Sequence, residues 1–257
     1  MDQPGRRPAA ARFCHHLTHS TWRVTLDSLG FVAFAAFAVV VTVAAWFMSQ
    51  LFERRRRAAL GAYAAHRGWS FEAGDDAWAY IAEGEPFGEG HGRTARYVMR
   101  GPYAGLTSVV FDYKWVTGTG NQRRTHRAGV YAVGLPAGLP WVHIRSEHML
   151  DKAARLFGGQ DIDLESEEFN RAFRVQAGDE RFAYDLLNAR TMEALLPAQA
   201  LIVQVADRYL VATLAGGLDL DCVDYNLGLL VGMVERLPDY VWTDRGAQPP
   251  TVGKRSA

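Results

Sequence analysis

Four short stretches of this chain hold residues whose types and spacing could do chemistry. The first is Glu83-Gly84-Glu85-Pro86-Phe87-Gly88-Glu89-Gly90-His91-Gly92-Arg93, a glycine-rich loop. Such loops cradle phosphates when Lys-Ser/Thr follows, or dinucleotides through G-x-G-x-x-G; this one has neither, and its three Glu repel phosphate. Its imidazole, His91, is the candidate ligand contact, because histidine is the side chain that most readily changes charge near neutral pH. The second stretch is acidic: Asp161, Asp163, Glu165, Glu167 and Glu168. A calcium loop needs glycine at its sixth position and a carboxylate at its twelfth, where this chain has Ser166 and Ala172. The third is basic, with Arg123, Arg124, His126 and Arg127 at the tip of an expected hairpin. Together with Arg54, Arg55, Arg56 and Arg57 it could meet anionic lipid headgroups. The plainer alternative is a hairpin kept soluble and unpaired by its charge. The fourth, Cys14-His15-His16 with His19, has ligand types for a metal, but it lies in a tail without periodicity to hold them in place. No metal and no cofactor are expected. The sequence contains no G-x-S-x-G, H-E-x-x-H or C-x-x-C, which weights the reading toward binding or assembly.

These residues are positioned by the elements around them. Ser28 to Phe52 carries no charge, and Gly30 to Met48 is almost wholly Ala, Val and Phe. Nineteen helical residues span roughly 28 Å, close to the hydrocarbon thickness of a bilayer. Residues 28–52 are therefore expected to form a transmembrane helix, with the lipid bilayer as a partner. A cleaved signal peptide is the rival, but Ser49-Gln50-Leu51-Phe52-Glu53 lacks a small-x-small site and Arg54 to Arg57 follow at once. Those four arginines and Arg67 outnumber Arg12 and Arg23 on the other flank, so the positive-inside rule expects the C-terminal domain in the cytoplasm of a single-pass membrane protein.

The organisation expected is a flexible tail over 1–27, the membrane helix over 28–52, a basic helical stalk over 53–68, a soluble domain over 69–245 and a disordered tail over 246–257. Within the domain, Trp69–Phe71 is expected as a strand and Asp75 as the start of a short helix. Ala95–Arg100, Leu106–Val116, Arg127–Gly134 and Trp141–Arg145 follow as strands, with turns at Gly101-Pro102 and Gly118–Asn121. In Leu106–Val116, Phe111, Tyr113 and Trp115 alternate with Asp112 and Lys114, the period of a half-buried strand. Short connections imply an antiparallel meander. His148–Phe157 is expected as a helix, Asp161–Leu164 as a short strand and Ser166 as a helix cap. Helices are expected again over Asp179–Asn188 and Thr191–Leu196. Leu201–Val205 and Tyr209–Leu214 are expected to form a hairpin across Ala206-Asp207-Arg208. A last amphipathic helix, capped by Asp219, carries Leu220, Val223, Leu227, Leu230 and Val234 on one stripe. The fold class is α+β, a meander sheet packed with helices, and a pleckstrin-homology-like barrel is one arrangement that fits.

The formal net charge of zero hides a segregation. Residues 1–57 carry eight Arg against Asp2, Asp27 and Glu53, a net of +5, whereas residues 58–245 carry a net of −7. An acidic domain repels a phosphate backbone, so nucleic acid is excluded as a partner. Cys14 and Cys222, the two cysteines, lie on opposite sides of the apolar run, which fits a reducing compartment for the domain.

The block Asp163-Leu164-Glu165-Ser166-Glu167-Glu168-Phe169-Asn170-Arg171-Ala172-Phe173-Arg174-Val175, with Tyr184-Asp185-Leu186-Leu187 and Thr191-Met192 behind it and Thr117-Gly118-Thr119-Gly120-Asn121-Gln122-Arg123-Arg124 before it, resembles a set of uncharacterised bacterial membrane proteins, the domain of unknown function 3137-like family. The likeness spans residues 69 to 240 and implies membrane association without an established activity. The function expected is a membrane-anchored cytoplasmic binding or assembly module with a protein partner in a membrane complex. The alternatives are a membrane-tethered, hydrolase-like enzyme, whose site would be a deep pocket lined by His91, His126 or His143 with a buried carboxylate, and an anionic-lipid-binding domain.

Overall fold

The structure, a computed structural model, describes residues 21–146 and 162–253, with side chains from residue 31 onward. The chain divides into two compact units, Met1–Arg56 and Arg57–Ala257. Helix α1 (Thr21–His66) begins in the first and ends in the second. In the first unit its apolar side chains are bare, with Phe34 70% and Trp46 62% exposed. Its most apolar window has a mean hydropathy of 2.4 and none of it is buried. The Thr42 and Ser49 hydroxyls turn back onto the carbonyls of Ala38 and Trp46, both at 2.7 Å, and so need no water. By length and composition this helix can cross a membrane.

In the second unit, Leu60 and Ala64 of α1 are buried in the core. Gly68, at φ +68°, closes the helix: its N–H donates to Ala65 O at 3.1 Å and the Trp69 N–H reaches Ala64 O at 2.8 Å. Glycine takes this left-handed conformation without steric cost, and the two bonds satisfy carbonyls that the helix end leaves open. Trp69 then packs on Gly101 and donates its indole N–H to Pro102 O at 3.0 Å.

Six strands make one antiparallel sheet: β1 (Ser70–Gly74), β2 (His91–Tyr103), β3 (Leu106–Thr117), β4 (Arg124–Ser146), β5 (Phe173–Ala177) and β6 (Leu201–Ala215). The run β1-β2-β3-β4 is the expected meander, with its last two expected strands joined in β4, while β5 and β6 both pair with β4. β6 follows β4 from Ile144 back to Ala128, and β3 and β5 pair with different halves of β4. Short helices α2 (Glu167–Ala172), α3 (Glu180–Leu186) and α4 (Ala189–Leu195) connect β4 to β6 around β5. Ser166, Asp179 and Asn188 cap them by accepting from Phe169, Phe182 and Thr191 N–H groups. A 3₁₀ turn over Asp76–Tyr80 starts at Asp75 as expected.

Side-chain alternation divides the interior by sheet face. On one face Val110, Tyr131, Val133, Ile144, Val203 and Ala212 meet α5 (Val223–Glu235) in the main core. On the other, Phe111, Tyr113, Trp115, Val130 and Val211 are covered by Trp78, Ala79, Ala82 and Phe87. In β4 the main-core residues are odd-numbered through Leu139 and even-numbered from Val142. In β6 they are odd-numbered through Val205 and even-numbered from Leu210. Both changes of phase fall where the register breaks, with Leu139 opposite Asp207 and Asp207 at φ +50°. Paired bulges thus keep the apolar face apolar along strands that would otherwise turn their cores outward.

Several expectations are corrected. β4 is one strand of 23 residues and β6 one of 15, where breaks were expected at 135–140 and 206–208. A turn and a bulge both reverse hydrophobic phase, so alternation alone does not separate them. β2 runs through Gly101-Pro102, and the chain reverses at Ala104-Gly105, both at positive φ. Residues 162–164 are not a strand, although Ile162 N–H donates to Val175 O at 3.0 Å. Asp219 does not cap α5: its carboxylate accepts from Asp221 N–H at 3.0 Å, and the helix starts only after Cys222. The expected stripe is nonetheless inward, with Val223, Leu227, Leu230 and Val234 all buried. Helix α6 (Asp239–Thr243), unforeseen, buries Val241 and Trp242. Beyond it Ala247 and Val252 pack against the core and Gly253 N–H donates to Ala104 O at 3.1 Å. The helix expected over 148–157 lies outside the described residues.

A Cβ on Gly101 would overlap the Trp69 ring that ties the end of α1 to the sheet. Gly101→Ala is expected to cost about 1–3 kcal/mol, the usual penalty for overpacking, and to lower the thermal midpoint of the full chain in detergent. An unchanged midpoint would mean that the Trp69 anchor gives way freely.

Candidate functional site

The change of phase decides what the second face of the sheet presents beyond the bulges. There Gln176 of β5, His143 of β4 and Gln204 of β6 stand in register, side by side. Residues directly opposite on antiparallel strands point to the same face, so three polar side chains form one row. All three are buried, Gln204 to 3% exposure. The chain around Glu83–Glu85 is bonded to this row. His143 Nε2 lies 3.2 Å from Glu85 O, and Gln204 Nε2 donates to Glu83 O at 3.3 Å and Glu85 O at 2.6 Å. Arg145, two residues along β4, holds the Glu85 carboxylate at 3.0 Å.

A carbonyl only accepts, so His143 carries its proton on Nε2. Burial first, and the Arg145 charge second, pull this imidazole down from 6.5 to about 4. The ring is therefore neutral at physiological pH. Its contribution to stability is present above the unfolded pKa and is lost as pH falls from about 6.5 toward 4, because the unfolded chain takes the proton first.

Beside the row is a cavity of about 560 Å³, lined by Tyr80, residues 81–84, Trp141, Gln176, Gln204 and Asp207 with His143. Tyr80 and Trp141 are exposed aromatic rings, and Glu83 and Asp207 are exposed carboxylates. The cavity thus combines a neutral polar floor, two rings and two negative charges.

The sequence-derived candidates lie elsewhere. His91 is exposed at the start of β2 opposite Val116 and does not line the cavity. Arg123 and Arg124 are exposed at the β3–β4 hairpin, beside the 3₁₀ turn Gly120–Gln122, with no ion pair among the described residues. Arg127 is paired with the buried carboxylate of Asp112, so its charge serves the fold. His126 stacks on Trp115 with centroids 5.0 Å apart and shares a hydrogen bond of 2.7 Å with Thr117. Arg54, Arg55 and Arg57 are exposed and Arg56 is half-buried. Of the three histidines considered for a pocket, His143 alone lines this one, and the carboxylates beside it are exposed. Among the described residues no cluster of His, Cys, Asp or Glu is suited to a metal ion. Gln176, Gln204 and Trp141 were missed. The signal was a polar residue inside apolar strand sequence, as in Leu201-Ile202-Val203-Gln204-Val205.

No family model matches this chain, and no curated protein matches it. Among solved structures, it is similar to the crystal structure of the mycobacterial trehalose monomycolate transport factor A, TtfA. That likeness has a TM-score of 0.54 at 15% identity and covers 72% of this chain and 95% of that one. At such identity the likeness is one of fold.

Proposed function

We propose that this chain is a membrane-anchored module whose acidic C-terminal domain works in the cytoplasm as a binding member of a membrane complex. The observation that carries the reading is α1, whose bare apolar stretch continues into turns that bury Leu60 and Ala64 in the domain core. Arg54 to Arg57 at the downstream end of that stretch support the cytoplasmic side for the domain. A fold shared with a protein named as a transport factor supports an accessory role in a membrane process. No buried carboxylate lines the cavity beside His143 among the described residues, which supports binding over hydrolytic catalysis.

Cys14 and Cys222 report the orientation, since they bracket the apolar stretch. Burial and the neighbouring Asp219 raise the Cys222 thiol, so labelling is best run near pH 8.5. In intact cells a membrane-impermeant maleimide is expected to modify Cys14 and to reach Cys222 only after permeabilisation. Modification of Cys222 in intact cells would reverse the orientation.

A second reading, contact with anionic lipid, is favoured by Arg123 and Arg124, exposed together at one hairpin. Each cation near such a surface contributes about 1 kcal/mol. Converting both to Glu is expected to reduce cosedimentation of the Arg57–Ala257 unit with phosphatidylserine vesicles at least tenfold. Unchanged cosedimentation would remove this reading and leave the first intact.

A further inference from the structure

The layer that covers the second face of the sheet has a gap. Trp78, Ala79, Ala82 and Phe87 cover that face over β3 and the first half of β4, and the carbonyls of Glu83 and Glu85 close over Gln204 and His143. Trp141 stands two residues before His143 on β4 and so belongs to the same face, yet it is 47% exposed. Its indole rests against Gly178, where a Cβ would overlap the ring, and Gly178 N–H donates to Trp141 O at 3.1 Å. The ring is thus held in place without being covered. The cavity of about 560 Å³ adjoins it, with Ile81, Ala82 and Ala206 in the wall. Tyr80 also lines the cavity, but the Arg93 guanidinium already lies 6.0 Å from its ring centroid, so Trp141 is the ring left for a partner. A fixed tryptophan beside a pocket is the kind of surface on which binding energy concentrates in protein interfaces.

We propose that this gap is the docking point for a basic cytoplasmic segment of another membrane protein, which seats a bulky apolar side chain in the cavity against Trp141. Lys or Arg of the same segment then lies beside Glu83 and Asp207. The inference rests on the membrane-complex reading above and names the surface and the chemistry of the partner. Glu83 and Asp207 line the cavity and no Lys or Arg does so among the described residues, while residues 58–245 carry a net charge of −7. Such a field selects a cationic partner and repels anionic headgroups. Cytoplasmic segments next to membrane helices carry an excess of Lys and Arg, and a domain tethered by α1 on that side works among them.

The test is selection of a phage-displayed library of random dodecapeptides on the full chain in detergent, after depletion on empty micelles. Enriched peptides are expected to place a bulky apolar residue next to Lys or Arg, and to saturate one site by fluorescence anisotropy. Trp141→Ala is expected to weaken their binding about tenfold or more, the loss typical of an interface anchor. Glu83→Gln combined with Asp207→Asn is expected to weaken it about threefold or more and to flatten its salt dependence. Both carboxamides leave the fold alone: Gln204 bonds to the main chain of Glu83, and Asn tolerates the left-handed backbone of Asp207. Should Trp141→Ala lower the thermal midpoint, the carboxamide pair decides. No enriched peptide, enriched peptides without positive charge, or binding unaffected by these variants would overturn the proposal. Labelling of Cys222 tests the placement of the domain separately, so a failure here with Cys222 protected removes the docking point and leaves the membrane module standing.

Discussion

The matched change of phase in β4 and β6 is the constraint on which the second unit depends. Each strand keeps its apolar residues in the main core along its length only because its alternation resets. Both reset at the same level, where Leu139 faces Asp207. If one strand shifted alone, half of its apolar residues would face the wrong side. Because both shift, Val142, Ile144, Val203 and Val205 join the core that Tyr131, Leu210 and Ala212 begin. The same event releases His143, Gln176 and Gln204 to the opposite face. The main core and the polar row are thus two consequences of one backbone irregularity.

Burial then decides how that row behaves. Buried polar groups need partners, and the main chain at Glu83–Glu85 supplies carbonyls to the donors. This anchors the segment joining the Asp76–Tyr80 turn to β2; Ala79 of the turn and Ala82 of the segment cover the apolar second face over β3 and β4. Further along, Phe87 packs at a tilt on Tyr113, and Tyr113, Trp115 and His126 stack in sequence toward the hairpin end. That arrangement explains why His126, read in the sequence as part of a basic patch, behaves as an aromatic ring with a hydroxyl partner.

Much of the fold was legible because it rests on local signals. Alternation around Phe111, Tyr113 and Trp115 gave β3, Ser166 and Asp179 gave helix starts, and the stripe from Val223 to Val234 gave the closing helix. The apolar stretch of α1 was legible for the same reason, as composition with no polar face. What was not legible depends on pairing. Asp207 in the middle of β6 has the chemistry of a turn residue, and only its partner Leu139 makes it a bulge. His143, Gln176 and Gln204 are separated by tens of residues, and nothing local marks them as neighbours. His91, conspicuous among glycines, stands in the open because its neighbours commit it to the start of an exposed strand. Arg127 looked equivalent to Arg123 and Arg124, yet strand pairing sets Asp112 close to it.

The central claim is that the second unit is held at a membrane in order to bind a protein partner there. The most direct measurement is chemical cross-linking in native membranes, then affinity capture of the full chain and mass spectrometry, with a chain lacking residues 69–245 as the comparison. The account predicts one stoichiometric partner with the full chain that disappears with the truncated one. Equal recovery with both chains, or no partner above background, would contradict it.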